Sequence, residues 1–291
     1  MAESLERFRS YIGRSETATD VVTASMVMKF AATLGLPDPP LEPGSPIPPG
    51  SHGGLFPPTH RPDNMRTDGQ PSGGGIMPPI PLPRRRIGAS RTAFLAPLRI
   101  GDDVSRTIEI ADIQVDEGPP GPMATIIERS SIFNANGLCV VEERDLRLLS
   151  EARSIATPKT EPTVPSEAVW RETVQPTSTL LFRFSAIRFN SHRIHYDRDY
   201  VTKTEQMPGL VVQSSLIAQW LMEICRREAP DRRLTAFDAQ NVRSVYDVGA
   251  LTLAGVPTAD GGGATLWATD DEGRLAMHAT ATFAPELEDR R

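Results

Sequence analysis

The 291-residue chain predicts an α+β fold built from two similar units, each an antiparallel sheet wrapped around an apolar helix. Two observations lead to this prediction. A helix-like apolar pattern is followed by several strand-like runs, and the same order then occurs a second time along the chain. The length also exceeds what one core usually needs and suits two domains of about 140 residues each.

The first unit is predicted over residues 1–150. Apolar residues recur at helical spacing within 21–34, and Gly35 follows, where helices commonly end. Strand-like runs cover 92–100, 105–115, 123–133 and 138–149. The pair Asn136-Gly137 indicates a tight hairpin between the last two runs. The unit is therefore expected to form a helix, a long insertion and an antiparallel meander.

The insertion, residues 37–97, holds many of the 27 prolines of the chain together with several glycines. Proline lacks the backbone donor and glycine loses the most entropy on ordering, so regular helix or sheet is not expected there. Its aromatic and basic residues favour an ordered flap over a bare linker. These residues are His52, Phe56, His60, Arg84, Arg85 and Arg86.

The second unit is predicted over residues 178–291, after a polar linker at 151–177. Its pattern predicts a strand at 178–187 and an apolar-faced helix at 214–227, with a serine available as N-cap. Further strands are expected at 234–246, 250–256, 264–269 and 274–283. Helices this apolar must be buried, and a surrounding sheet buries them best. Two such units paired edge to edge form a double hotdog with a pseudo-twofold axis.

The overall composition narrows the classes of function. A net charge of -6 argues against a nucleic-acid partner. No apolar stretch reaches the roughly 20 residues of a membrane span, and the acidic start is unlike a signal peptide. We therefore expect a cytoplasmic protein. Cys139 and Cys225 lie in apolar runs and are expected to be buried and reduced.

Chemistry is predicted in one short stretch, where an amide, two histidines and a carboxylate occur within eight positions. These are Asn190, His192, His195 and Asp197. Imidazoles titrate near neutral pH, so the stretch suits proton transfer. A metal site is not expected, because the histidine pair has no third ligand at suitable spacing.

The same stretch carries a resemblance to a known family. The run Asn190-Ser191-His192-Arg193-Ile194-His195, followed by Tyr196-Asp197 and later by Pro208-Gly209-Leu210-Val211-Val212, resembles the MaoC-type R-specific enoyl-thioester hydratases and dehydratases. Their motif reads Asp-x-Asn-Pro-Leu/Ile-His. Here Asn190 replaces the aspartate, and Gln213-Ser214 replaces a frequent His-Gly pair.

The first half resembles the amino-terminal dehydratase-like domain of the mesaconyl-C4-CoA (3-methylfumaryl-CoA) and itaconyl-CoA hydratases. The resemblance spans nearly the whole chain. The residues that carry it are Tyr11-Ile12-Gly13-Arg14, Leu55-Phe56, Asp68-Gly69, Leu82-Pro83-Arg84-Arg85-Arg86 and Pro97-Leu98-Arg99-Ile100-Gly101-Asp102.

The resemblance implies addition of water across a double bond conjugated to a thioester. This reaction needs a base, an acid and dipoles that hold the enolate oxygen. His195 is the expected base, and Asn190 is expected to orient the water by accepting one of its protons. The same water returns its other proton to the alpha carbon, so one base suffices. Backbone amides at Ser214 and Ser215, where the helix begins, are expected to bind the thioester oxygen.

Other polar residues are secondary candidates. His192 and Asp197 are alternative relay or orienting groups for His195. The run Arg84, Arg85 and Arg86 is either a solvated charge cluster or a clamp for phosphates or a substrate carboxylate. Arg193 and Gln213 complete the candidate residues for binding the substrate or its coenzyme A.

The predicted function is a hydro-lyase that reversibly hydrates a branched dicarboxylic 2-enoyl-CoA, such as itaconyl-CoA or mesaconyl-C4-CoA, to citramalyl-CoA. No cofactor is expected beyond the coenzyme A of the substrate, which would lie between the two units, and a homodimer is a possible assembly. Two alternatives stay open. One is a dehydratase for 3-hydroxyacyl chains on acyl carrier protein. The other is a non-catalytic acyl-thioester-binding protein, because the usual aspartate is absent.

Overall fold

The computed structural model describes residues 5–116, 118, 121–151, 163–165 and 167–284. These residues form three helices of at least ten residues and ten strands. The helices are α1 (Ala24–Leu34), α2 (Ser178–Ile187) and α3 (Ser214–Glu228). The strands are β1 (Ser15–Val21), β2 (Arg84–Phe94), β3 (Asp103–Asp116), β4 (Met123–Asn134), β5 (Gly137–Leu149), β6 (Trp170–Val174), β7 (Leu234–Asn241), β8 (Leu251–Pro257), β9 (Gly263–Thr269) and β10 (Leu275–Phe283).

All ten strands belong to one antiparallel sheet in the order β1-β3-β4-β5-β2-β7-β10-β9-β8-β6. Its two halves have the same topology, because β6, β8, β9, β10 and β7 follow one another as β1, β3, β4, β5 and β2 do. The halves join where β2 pairs with β7, from Ala89 opposite Gln240 to Ala93 opposite Ala236. The chain is therefore a double hotdog whose units share a continuous sheet.

Helix α3 is the central helix of the second unit. It packs against β7, β8, β9 and β10. Leu216 and Leu221 are fully buried and Ile224 nearly so, at positions that share one face of a helix. Gln213 precedes the helix without a side-chain cap, so the expected serine N-cap is not formed.

Helices α1 and α2 occupy equivalent places after the edge strands β1 and β6. Each begins with a threonine N-cap: Thr23 accepts from the amide of Met26, and Thr177 accepts from the amide of Leu180. The two helices pack together in the main core. The prediction of a strand at 178–187 was wrong. Leu181 and Phe184 are buried at helical spacing, which the sequence pattern already contained.

The first half of the sheet differs from the second half in what covers its inner face. Within the described residues, the first unit has no long helix equivalent to α3. Part of the face is covered by Ile76, Ile80 and Leu82 of the proline-rich segment and by Phe8 of a short amino-terminal 3-10 helix. The remainder of the face borders a large cavity.

Several predicted boundaries shift. The strand expected at 92–100 runs instead as β2 from Arg84 to Phe94, within the predicted flap of 37–97. Strand β6 lies inside the predicted linker of 151–177, of which residues 152–162 and 166 are outside the described part. Both β6 and the missed β1 are edge strands. Strand β1 consists mostly of exposed polar residues, and β6 is only five residues long, so hydrophobic alternation does not reveal either strand.

Two other expectations concern burial and membranes. Cys139 and Cys225 are buried and carry no disulfide. None of the helices in the described residues is long and apolar enough to cross a membrane.

Candidate active site

A cavity of about 1810 Å³ lies where the two units meet. Its walls are the loop after α2, the start of α3, the proline-rich flap and the inner face of the first half of the sheet. Of the predicted site residues, it is lined by Arg85, Arg86, Asn190, His192, His195, Gln213, Ser214 and Ser215. The cavity thus brings together residues that are distant in the sequence.

His195 is 8% exposed and lies at the end of a short 3-10 turn, Arg193–His195. Its Nδ1 is 2.7 Å from the carbonyl oxygen of Val211. A carbonyl only accepts, so Nδ1 must carry the proton and Nε2 keeps its lone pair. Burial lowers the pKa of His195 to about 4, although the bond to Val211 acts in the opposite direction. The imidazole is therefore neutral, and a potential base, at neutral pH.

Asn190 is held by two hydrogen bonds to backbone groups, one from its own amide and one to its side chain. Its amide donates to the carbonyl of Ser185 at 2.8 Å, and its Oδ1 accepts from the amide of His192 at 3.1 Å. The second contact sets the orientation of the side-chain amide, because only the oxygen can accept. No group in the described residues accepts from Nδ2, so this donor is available to a molecule in the cavity.

Phe189, just before Asn190, has φ of 49°, the left-handed region that glycine usually occupies. The amide of Phe189 donates to Ala186 and that of Asn190 donates to Ser185. This pair of bonds is a Schellman motif, which ends α2 and turns the chain into the site loop. Phe189 is 60% exposed and lines the cavity, so a strained backbone presents an aromatic residue there.

Helix α3 points its first turn at the cavity. Ser214 and Ser215 line it, and in the described residues no acceptor satisfies their backbone amides. Such amides carry partial positive charge. Gln213 is 3% exposed and donates through Nε2 to the carbonyl of Leu181 and the hydroxyl of Ser185. Its Oε1 has no partner within the described residues. Gln213 thus ties α3 to α2.

The flap is held directly against the loop that carries His195. The carbonyl of Gly69 accepts from the hydroxyl of Ser191 at 2.6 Å, and the carbonyl of Asp68 accepts from the amide of Arg193 at 2.8 Å. Gln70 Nε2 lies 2.9 Å from Nδ1 of His192. A Cβ on Gly69 would lie 2.0 Å from the Ser191 carbonyl oxygen, so only glycine permits this approach.

Three candidate residues lie outside the cavity lining. The Arg193 guanidinium bonds the Asp197 carboxylate at 2.8 Å and the Thr67 carbonyl at 3.0 Å. Asp197 also accepts from the amide of Tyr200 at 3.0 Å. Arg84 pairs with Glu151 at 2.6 Å and with Glu205. We therefore assign these three to structural ion pairs and leave them out of the proposed site.

Arg85 and Arg86 lie near the start of strand β2 and line the cavity from the first unit. Burial lowers the pKa of the Arg85 guanidinium, and its Nε has no partner within the described residues. A guanidinium stays protonated, so Arg85 offers an unsatisfied donor for an anion such as a phosphate.

The sequence did not single out several residues that the structure places at the cavity. Arg106, Arg144 and Arg188 supply guanidinium groups from β3, β5 and the end of α2. Only Arg188 carried a usable signal, a charge between an apolar helix and the Asn190 motif. The others depend on strand pairing far along the chain. Among the described residues, no group of three or more His, Cys, Asp or Glu side chains is placed to hold a metal ion.

Comparison with known proteins shows to which family the chain belongs. Residues 50–247 match the family described as "Hydroxyacyl-thioester dehydratase type 2". The chain is 35% identical over 271 residues to the mesaconyl-C(4)-CoA hydratase of Chloroflexus aurantiacus, covering 93% of this chain and 96% of the relative. The chain belongs to the hydroxyacyl-thioester dehydratase type 2 family.

As a type 2 dehydratase, the protein is an enzyme of the hydro-lyase class that hydrates or dehydrates acyl thioesters, which sets aside the non-catalytic alternative. Solved structures support the double hotdog fold. A MaoC-like dehydratase has a TM-score of 0.70 at 8% identity, covering 94% of this chain and 99% of its own. A MaoC-like dehydratase from Phytophthora capsici has a TM-score of 0.65 at 10% identity, covering 97% and 99%.

Proposed function

We propose that this type 2 dehydratase reversibly hydrates a branched, dicarboxylic 2-enoyl-CoA, with mesaconyl-C4-CoA as the unsaturated partner and citramalyl-CoA as the hydrated one. Itaconyl-CoA, the other substrate expected from sequence, is left out because its double bond ends in a terminal methylene and is not conjugated with the thioester. The observation that carries the proposal is the neutral His195 imidazole. Its Nδ1 makes the hydrogen bond to Val211, which leaves Nε2 as the proton acceptor. His195 lines the same cavity as the uncapped start of α3. The thioester oxygen binds the amides of Ser214 and Ser215.

In this proposal, a water molecule lies between His195 and Asn190. The Asn190 Nδ2 donates to the water oxygen, so the amide orients the water as a donor rather than as the acceptor expected from sequence. His195 Nε2 takes one proton of the water while its oxygen bonds to C3 of the substrate. Negative charge moves to the thioester oxygen, where the α3 amides stabilise it.

The reaction is completed when the imidazolium returns that proton to C2 on the same face of the substrate. The water thus supplies both the hydroxyl on C3 and the hydrogen on C2, and His195 ends neutral. Because burial lowers the pKa of His195 to about 4, its protonated form is a strong acid within the cavity and gives up the proton readily. Dehydration is the same path in reverse.

Two observations support the choice of substrate. The relative that shares 35% identity over 93% of this chain is named a mesaconyl-C(4)-CoA hydratase. The cavity also has arginines on its walls, which suits anionic groups better than a long alkyl chain. Arg85 and Arg86 are proposed to contact the phosphates of coenzyme A. The proposal needs no metal or redox cofactor, and a homodimer remains a prediction.

The test is a panel of enoyl thioesters followed by loss of the conjugated enoyl absorbance. It contains mesaconyl-C4-CoA, crotonyl-CoA and a crotonyl thioester of acyl carrier protein. We expect the dicarboxylic CoA ester to have the highest kcat/KM. Faster turnover of the carrier-protein thioester would favour the alternative dehydratase function instead.

The role of His195 is tested by His195→Ala, with His278→Ala as the matched control. His278 lies on β10, outside the lining of the cavity. Loss of a general base is expected to lower kcat by about 10²–10⁴-fold, whereas the control keeps its rate. Equal rates in His195→Ala and the unaltered enzyme would refute this mechanism.

A further inference from the structure

Arg188 is a charged side chain that lines the cavity. It follows α2 directly, two residues before Asn190, and both residues line the same space. Within the described residues, no group accepts a hydrogen bond from its guanidinium. The group lies against Gly53 of the flap, where a Cβ would come within 1.8 Å of Nη1, and 5.6 Å from the Phe184 ring centroid. Its position is therefore fixed by packing and leaves its donors unused.

Arg106 on β3 gives the cavity a further incompletely paired guanidinium, besides those of Arg85 and Arg188. Its Nε is buried without a partner in the described residues, and its Cζ lies 4.7 Å from the centroid of the Phe56 ring. Phe56 itself has a φ of 54°, so a strained residue of the flap supports this arginine. Burial lowers the pKa of both Arg106 and Arg188, because removing a guanidinium from water disfavours its charged form.

Another arginine, Arg144, forms ion pairs with the carboxylates nearby. Arg144 bonds Glu128 at 2.8 Å, and its Nε lies 4.0 Å from an Oε of Glu142. Glu142 acts on Arg188 through its charge, and no hydrogen bond joins the two. Burial lowers the pKa of His52, so this ring adds no positive charge at neutral pH. An anionic ligand would therefore find unsatisfied donors on Arg188 and Arg106.

We propose that Arg188, assisted by Arg106, binds the free carboxylate of a dicarboxylic acyl group and so gives the enzyme its preference for dicarboxylic over monocarboxylic enoyl thioesters. The inference rests on the proposed function, since it concerns the acyl end of that substrate. A carboxylate satisfies guanidinium donors in a fork-like geometry, which a methyl end cannot do. The inner face of the first half of the sheet, which no long helix of the described residues covers, thereby becomes a polar subsite.

Binding is measured with succinyl-CoA and butyryl-CoA, which differ in the free carboxylate and contain no double bond to hydrate. Each is used as a competitive inhibitor and in direct calorimetric titration. We expect the enzyme to bind succinyl-CoA about 10-fold to 150-fold more tightly, as one or two charge-assisted hydrogen bonds allow. Equal affinities would overturn the inference.

Arg188→Met is expected to remove most of this difference in affinity, together with the preference in kcat/KM for mesaconyl-C4-CoA over crotonyl-CoA. Arg183→Met is the matched control, because Arg183 lies exposed on α2, the helix that Arg188 follows, and outside the cavity lining. If Arg188→Met keeps the preference of the unaltered enzyme, the assignment is wrong.

Gly53→Ala provides an independent variant that changes no charge. Gly53 does not have positive φ, so alanine is compatible with its backbone, but the new Cβ must displace the Arg188 guanidinium. We expect a reduced preference for succinyl-CoA, and an undiminished one would count against Arg188. Because these titrations need no turnover, they decide the subsite even if the enzyme hydrates none of the enoyl thioesters, which would refute only the proposed function.

Discussion

His195 and Val211 are joined by a hydrogen bond of 2.7 Å from the ring Nδ1 to the backbone carbonyl oxygen. Since the acceptor belongs to the backbone, no side-chain substitution at Val211 removes it. The bond fixes the tautomer in which Nε2 is unprotonated, and burial then keeps the ring neutral. The chemistry proposed for the cavity depends on this pairing of one ring with one peptide group.

The pH dependence of hydration should follow the protonation of His195. The active form of His195 is neutral, and burial lowers its pKa to about 4, so protonation sets in only well below the ordinary histidine range. We expect kcat/KM for hydration to stay level from pH 8 to about 5 and to fall only near pH 4. Stopped-flow measurements after brief pH jumps avoid acid unfolding. A decline centred near the ordinary histidine pKa of about 6.5 would contradict the burial of the ring.

Asn190→Asp tests how the environment of His195 sets that profile. The carboxylate keeps an oxygen that accepts from the His192 amide, so the loop should retain its shape. A nearby negative charge favours the imidazolium, and the acid limb should therefore move to higher pH. Asn190→Ala is the comparison: it removes the contact to His192 and adds no charge, so it is expected to lower the rate without that shift. Identical limbs in the two variants would show that Asn190 and His195 do not interact.

Gly69→Ala should separate the flap from the site loop. Position 69 has φ of 82°, and a Cβ there would lie 2.0 Å from the Ser191 carbonyl oxygen. We expect a loss of about 1–3 kcal/mol in unfolding free energy together with a raised KM. Gly44→Ala is the matched control, with φ of 85° and nothing within 4 Å of its Cβ. It should lose stability from backbone strain while KM is unchanged; a raised KM in both variants would deny the flap a specific role.

Phe189→Gly is expected to raise stability and impair binding at once. Glycine adopts φ of 49° without strain, so the Schellman turn should gain about 1 kcal/mol in unfolding free energy. The lost ring removes an aromatic wall of the cavity, so KM should rise. Phe182→Ala serves as control, because Phe182 is 59% exposed on α2 but does not line the cavity. Thermal melts and steady-state kinetics report the two effects, and a fall in melting temperature for Phe189→Gly would refute the strain argument.

Treatment with EDTA, followed by gel filtration, is expected to leave the hydration rate unchanged. The proposed reaction uses an imidazole, an amide and backbone donors, and none of these steps requires a metal. Rates are compared before and after treatment and after adding back Zn²⁺ or Mg²⁺. Loss of activity that either ion restores would contradict the proposed mechanism.

The sequence revealed features that local pattern determines and missed those that depend on distant partners. Helix α3 was predictable because its apolar face is strong, and the loop from Asn190 to His195 because its polar residues are close together. The helix at 178–187 was mistaken for a strand, although Leu181 and Phe184 have helical spacing. Strand β2 was hidden in a proline-rich region, since it is stabilised by β5 and β7 on its two sides.

In the candidate active site, too, the features that depend on distant parts of the chain were not predictable from local sequence. The sequence around Gly69 does not indicate that its carbonyl accepts a hydrogen bond from the Ser191 hydroxyl. The sequence around Arg106 does not indicate that this residue lines a cavity. Arg84 and Arg193 were attractive as substrate ligands because guanidinium groups often bind anions. Their carboxylate partners, Glu205 and Asp197, become apparent only once the chain is folded.

The seam between β2 and β7 has a consequence for how the molecule unfolds. Five residue pairs from Ala89 to Ala93 join the halves through backbone bonds, and the flap adds further bonds to the loop of the other half. Separating the halves would expose two long unpaired strand edges, which proteins avoid because such edges recruit other chains. Melting should accordingly be a single concerted transition, and either half made by itself should be prone to aggregate.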